Sequence, residues 1–282
     1  MILAARPSIG KTTLAMNIVE NVAVREKAVC AVFALEMTKE ELAQRMVCAV
    51  SNVSNQDAVN GKLEDDDWRR LWEAQKIISE TKIYVDDTSM TTCPEILSKC
   101  RRLKSREGRL DLIVVDHIQL MNAVKSSDSR QQEVTEISRG LKMIAKELDV
   151  PVLALSQLSR SITGRKGQRP MLSDLRESGA IEQDADIVMF IHRPDLAAED
   201  KEVEQGKVKK NVAEIILAKN RAGECNSFEL LFKGEKSKFI NPPADYMINA
   251  EPPAYKKKEH QNIDPVDKNY DSEEGDDIND IL

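Results

Sequence analysis

The 282-residue chain is 41% hydrophobic and 32% charged, enough apolar material for one large core and too little for two, so one globular domain with a tail is expected. No run of 18 apolar residues is present to span a bilayer, and Met1–Ala5 leads straight into a polar loop, so the expectation is a cytoplasmic protein without a secretory signal or membrane anchor. The formal net charge is −7, but residues 251–282 carry ten acidic and four basic side chains, a net of −6, which leaves residues 1–250 at −1. A nearly neutral body neither supports nor excludes a nucleic-acid partner. The five cysteines are odd in number, widely spaced and form no CxxC pair, which argues against a disulfide framework or a zinc site and for small apolar fillers.

In chain order, short β-branched runs alternate with amphipathic stretches. Ile2–Ala5, Ala28–Leu35, Ile83–Asp86, Leu110–Asp116, Pro151–Ser156 and Asp186–His192 read as buried strands. Between them, Thr38 and Glu41 have capping-box spacing before Leu42, Met46 and Val47. Thr92 with Pro94 and Glu95 opens a helix to about Arg106, and another spans roughly Gln131–Leu148. Ala123–Ser129 and the basic Ser159–Pro170 read as loops. Val212–Lys219 and Phe228–Lys233, separated by Asn220-Arg221-Ala222-Gly223, suit an antiparallel hairpin on the sheet edge. Residues 1–240 are therefore expected to form an α/β domain on a mostly parallel sheet, with ligands beyond the strands' carboxyl ends. Residues 241–282, Pro-containing and then acidic, are expected to be a disordered tail.

The chemistry concentrates at strand exits. Ala5-Arg6-Pro7-Ser8-Ile9-Gly10-Lys11-Thr12 follows an apolar strand and precedes the helical run Leu14–Val19, the context of a phosphate-binding loop. Backbone N–H groups and the helix's positive end would hold phosphates, Lys11 would reach the β/γ oxygens, and the Thr12 hydroxyl would bind Mg²⁺. Leu112–Asp116 is an apolar strand ending in a carboxylate, as a Walker B aspartate should be for the same ion. Hydrolysis also needs a group to orient or deprotonate water, and Walker B offers only His117 beside Asp116. Glu36, at the exit of the strand after the phosphate-loop helix, is the candidate base; a carboxylate complementing the dipole of the following helix is the alternative.

Ala-Arg-Pro-Ser-Ile-Gly-Lys-Thr-Thr, Ala34-Leu35-Glu36-Met37 and Asp116-His117-Ile118-Gln119-Leu120-Met121 resemble, in order and spacing, the successive motifs of DnaB-type replicative helicases. The resemblance runs from Ile2 to about Phe239. It implies a RecA-like P-loop NTPase fold using ATP and Mg²⁺. Arg6, Pro7, Ser8, Ile9, Gly10, Lys11, Thr12 and Thr13 would form the nucleotide-binding loop, Thr12 and Asp116 would hold the metal, and Glu36 would be the base.

Further roles come from the resemblance alone. Gln157, in Leu155-Ser156-Gln157-Leu158-Ser159-Arg160, resembles the glutamine that senses the γ-phosphate. Arg221, with Lys219 beside it, resembles the basic finger given to a neighbouring subunit's ATP. Arg176, Glu177 and Gly179 resemble the segment that holds a DNA phosphate. The bland alternatives are a strand-end polar residue, a solvated hairpin tip and a local ion pair at a helix start. The implied function is 5′-to-3′ unwinding by a homo-hexamer on single-stranded DNA, with a primase and a helicase loader as partners. Competing readings are a RecA-like recombinase or loader, and an inactive binding module. Family members carry a helical amino-terminal domain and a linker helix before the motor, and neither is expected within this sequence.

Overall fold

The structure is a computed structural model that describes residues 1–124, 129–159, 162, 167–198 and 208–243, without the side chains of 176–179. The chain divides into two units, Met1–Glu251 and Pro252–Leu282, and everything described lies in the first. The tail expected from 241 onward therefore falls, from residue 244, outside the described residues, as do most of the loop residues expected within 123–129 and 159–170.

The elements are β1 (Ile2–Ala5), α1 (Lys11–Arg25), β2 (Val29–Ala34), α2 (Lys39–Ser51), α3 (Asn55–Asn60), α4 (Asp65–Ser79), β3 (Lys82–Asp86), α5 (Cys93–Glu107), β4 (Leu112–Asp116), α6 (Arg130–Leu148), β5 (Val152–Gln157), α7 (Gly179–Asp184), β6 (Ile187–His192), β7 (Val212–Asn220), β8 (Ser227–Lys233) and β9 (Lys238–Ile240). The nine strands among the described residues form one sheet in the order β3-β2-β4-β5-β1-β6-β7-β8-β9. The six strands from β3 to β6 run parallel, and β7, β8 and β9 add antiparallel to them. The α/β class with a mostly parallel sheet and a C-terminal antiparallel edge is thus observed.

Both faces of the parallel part are covered, which is why its strands read as continuous apolar runs. Alternate residues serve opposite cores. Ala4, Ala31, Phe33, Ile113, Val115 and Ala154 face α5 and α6, meeting Ile96, Val134, Ile137, Leu141 and Ile144. Leu3, Ala5, Cys30, Val32, Val114 and Leu155 face α1 and α2, meeting Leu14, Met16, Val19, Leu42 and Met46. Cys30, Cys48 and Cys100 are buried in these layers, and burial pushes the thiols of Cys30 and Cys100 up to about 11 and about 12. They are inert fillers.

Three details differ from the sequence reading. β3 is only half-buried, because it is the outermost strand and one side of it has no neighbour. α4 is legible in hindsight from the Glu64–Asp67 capping box, but Trp68 and Trp72 stand 52% and 67% exposed on it, so its apolar pattern does not mark a buried face. β9 is too short to announce itself and exists through its partners: Asn17 of α1 accepts from the Phe239 N–H at 2.8 Å and donates to the Ser237 carbonyl at 3.2 Å. No helix among the described residues is long and apolar enough to cross a membrane.

Candidate active site

The parallel strands end at one rim, and four of the singled-out segments lie on it. β1 and β5 are in register to their ends, with Ala5 opposite Gln157, so the first residue of the phosphate loop is the pairing partner of the expected sensor. β2 and β4 are likewise in register, Ala34 opposite Asp116, and the Leu35 N–H donates to the Asp116 carbonyl at 2.7 Å. That pairing carries Glu36 out beside the end of β4.

α1 begins differently from its neighbours. α2 and α5 start with capping boxes, Thr38 with Glu41 and Thr92 with Glu95. Gly10 precedes α1 with φ 108°, and no side chain caps the helix. The first-turn N–H groups of α1 therefore remain for a ligand, at the end of the helix where the dipole favours an anion. Glycine is required at position 10 on two counts: its positive φ, and the Phe239 ring, which would stand 3.0 Å from an added Cβ. Phe239 packs on Phe232 at 4.7 Å between ring centroids, and the Arg193 guanidinium lies over Phe232 at 4.7 Å. Arg193 is held in turn by a buried ion pair with Asp195 at 2.8 Å. Of the remaining loop residues, Arg6 donates to Gln168, Ile9 is buried, and Pro7 and Ser8 are exposed.

Lys11, Thr12 and Asp116 converge, though 104 residues separate the two ends of the Thr12–Asp116 bond. The Thr12 hydroxyl donates to Asp116 Oδ2 at 2.5 Å, and the Lys11 ammonium stands 3.8 Å from Oδ1. Asp116 is only 5% exposed, and its Oδ1 finds no hydrogen-bond partner among the described residues. Leaving such an oxygen unsatisfied costs about 1–3 kcal/mol, so the carboxylate is poised for a ligand. A hydroxyl and a carboxylate are hard oxygen donors of the kind Mg²⁺ accepts alongside waters and phosphate oxygens. Burial lowers the Lys11 pKa, and the charges of Asp116 and Glu36 oppose that shift.

His117, which the sequence reading passed over, connects the next layer. Its Nε2 is 3.5 Å from Glu36 Oε2, and its Nδ1 is 3.1 Å from Gln119 Oε1. Burial lowers its pKa, Lys11 lowers it further, and Asp116, Glu36 and the Gln119 contact pull the other way. Gln119, quoted in the motif without a role, reaches β5. The signal for both residues was their spacing after Asp116 at a strand exit.

Arg221 and Lys219 are arranged otherwise. Lys219 Nζ donates to the carbonyls of Glu182 at 2.6 Å and Gln183 at 3.4 Å. Arg221 donates to the Gln183 carbonyl at 2.6 Å and pairs with Asp186 at 3.3 Å, its side chain 53% exposed. Both cations thus rest on the end of α7, away from Lys11 and Asp116. Arg176 and Glu177 fall on the 3-10 segment Leu172–Ser178, and Gly179 begins α7; their side chains lie outside the described residues.

With this geometry in place, comparison with known proteins gives a direct result. The family model for the DnaB-like helicase C-terminal domain matches residues 1–241. The chain belongs to the DnaB-like helicase C-terminal domain family. It is 49% identical over 242 residues to the replicative DNA helicase DnaB of Geobacillus stearothermophilus, covering 86% of this chain and 52% of that protein. It is 50% identical over 242 residues to the replicative DNA helicase DnaC of Bacillus subtilis (strain 168), with the same coverage. The chain spans about half the length of these relatives. Among solved structures, one isolated ATPase domain superposes with a TM-score of 0.80 at 39% identity, covering 86% of this chain and 84% of that one. A DnaB-like replicative helicase described with its interactions with primase gives a TM-score of 0.80 at 39% identity, covering 86% and 57%. The RecA-like reading of the fold therefore rests on solved relatives as well as on strand order.

Proposed function

We propose that this chain is the ATP-dependent motor of a replicative DNA helicase, binding single-stranded DNA and coupling ATP hydrolysis to 5′-to-3′ translocation and duplex unwinding. The observation that carries the reading is the cluster of Lys11, Thr12 and the partly unsatisfied Asp116 at the uncapped start of α1, with Glu36 and Gln157 on the neighbouring strand exits. The loop 6–13 and the first turn of α1 hold the phosphates, and Lys11 neutralises charge on the β/γ oxygens. Thr12 and Asp116 hold Mg²⁺, which when bound draws charge from the phosphate oxygens. Glu36 orients the attacking water and accepts its proton, while Gln157 contacts the γ-phosphate from the end of β5.

Arg221, exposed, and Lys219, half-buried, both resting on α7, serve the site of an adjacent copy in a homo-hexamer, where the guanidinium offsets charge developing on the transferred phosphoryl group. Arg176, Glu177 and Gly179 hold a DNA phosphate, a contact that positions a strand without reading its bases. A primase and a helicase loader are the expected protein partners; one of the structural relatives is described with primase. Residues 1–240 form the motor.

Because the finger comes from a second copy, single-stranded-DNA-stimulated ATP turnover should rise steeply with protein concentration as light scattering reports assembly. Turnover per chain that is undiminished at concentrations where only monomers scatter would remove the shared-site reading. Nucleotide binding with no turnover in assembled protein would leave a binding module in its place.

A further inference from the structure

The β4–β5 ladder ends at Val115 opposite Ala154, and the cis Asp116–His117 peptide follows. Beyond that point a side chain bridges the two chain segments. Gln119 sits in the 3-10 turn Ile118–Leu120. Its Oε1 accepts from the Gln157 backbone N–H at 3.2 Å, and its Nε2 donates to the Gln157 carbonyl at 3.2 Å and to the Ser156 hydroxyl at 2.9 Å. A backbone N–H only donates and a carbonyl only accepts, so these two bonds fix which end of the carboxamide is oxygen.

The same oxygen faces His117 Nδ1 at 3.1 Å. An amide oxygen donates nothing, so Nδ1 carries a proton, and Nε2 faces Glu36 Oε2, 3.5 Å away. The turn is pinned from behind by Arg130, which donates to the Gln119 carbonyl at 2.7 Å and pairs with Glu133 at 2.5 Å. One carboxamide therefore touches the end of β5 on one side and sets the ring that faces Glu36 on the other.

We infer that Gln119 is a positioning residue that ties the β5 exit carrying Gln157 to the His117–Glu36 pair, so that a shift of either is felt by the other. The inference rests on the proposed roles of Glu36 and Gln157. In an assembled ring, a change at the β5 exit on DNA binding reaches the water-orienting carboxylate through a single side chain, and stimulation by DNA depends on that link.

The test compares the wild-type chain with Gln119→Met, which keeps the side chain's length without its hydrogen bonds, and Gln119→Asn, which keeps the amide one methylene short. Imidazole ¹⁵N shifts should report an Nδ1-protonated His117 in the wild type and lose that preference in Gln119→Met; His117→Gln assigns the signal. In kinetics, Gln119→Met should lower DNA-stimulated kcat on the order of tenfold, the worth of one or two net hydrogen bonds, with KM for ATP changed less than about twofold. Gln119→Asn should fall between. A His117 protonated on Nε2 alone in the wild type, or a folded Gln119→Met with undiminished stimulation, would overturn the inference. Should Glu36→Gln retain wild-type turnover, the reading of the catalytic centre fails instead. The imidazole spectrum is decided without any activity, so it separates the two failures.

Discussion

The parallel rim and the antiparallel edge of the sheet both carry charged residues singled out from the sequence, but they use them differently. On the rim, Lys11 and Thr12 reach the buried Asp116 and the buried His117 reaches the exposed Glu36, and the strands that deliver them are locked in register. On the edge, Arg221 is 53% exposed and Lys219 half-buried, and they meet only the carbonyls ending α7 and Asp186 among the contacts described. On the proposed reading, a site on a chain whose Arg221 and Lys219 point elsewhere is one that two copies would finish together.

The sharpest way to break that contrast is to disable the two regions separately. Arg221→Ala should cost about 10³–10⁵ in DNA-stimulated turnover and Glu36→Gln about 10²–10⁴, with nucleotide binding retained in both. Mixing the two inactive proteins should restore part of the activity, because an interface between an Arg221→Ala site and a Glu36→Gln finger has every group intact. Complete failure of mixed assemblies to turn over ATP would put both residues in one site of one chain.

A smaller effect is expected where the two regions touch, at Gly10 beneath Phe239 and Phe232. Gly10→Ala should destabilise by about 1–3 kcal/mol through its positive φ, with the Phe239 contact adding to it. Gly61→Ala is the control, since its φ is also positive but nothing lies within 4 Å of the added methyl. Thermal melts that give equal losses for the two substitutions would mean that the aromatic roof yields freely.

Smallest is the pH response, carried by two buried rings at the ends of parallel strands. Burial lowers the pKa of His117 on the rim and of His192 at the end of β6, and for His192 the charges of Glu214 and Asp195 oppose the shift while Arg169 and Arg6 add to it. The unfolded chain then binds protons that the folded chain refuses, so stability is full above about pH 6.5 and falls as pH drops through that value, at most about 1.4 kcal/mol per unit for each ring. Melting temperatures measured from about pH 8 to about pH 5 should decline on the acid side, and His192→Gln should flatten the slope. A melting temperature that rises toward the acid end would reverse the sign of the buried-imidazole effect.

Much of this was legible in the linear sequence, for identifiable reasons. Apolar runs such as Leu112–Val115 mark strands covered on both faces, and a Gly-Lys-Thr after such a run marks a phosphate loop, because strand, turn and helix start are contiguous in the chain. The β3 edge was misjudged as buried because hydrophobicity reports composition and not how many neighbours a strand acquires. His117 and Gln119 went without roles because a side chain's use depends on what the other strands bring to it. The sequence by itself determined the alternation of strands and helices, the phosphate loop and the carboxylate at the end of β4, all set by local periodicity and spacing. Only the tertiary structure decided that Gln157 stands opposite Ala5, that Gln119 orients His117 toward Glu36, and that Arg221 rests on α7 away from its own chain's Lys11. Apart from the Gln119–His117 contact itself, those are pairings across tens to more than a hundred residues, fixed by strand order and register, which no local pattern encodes.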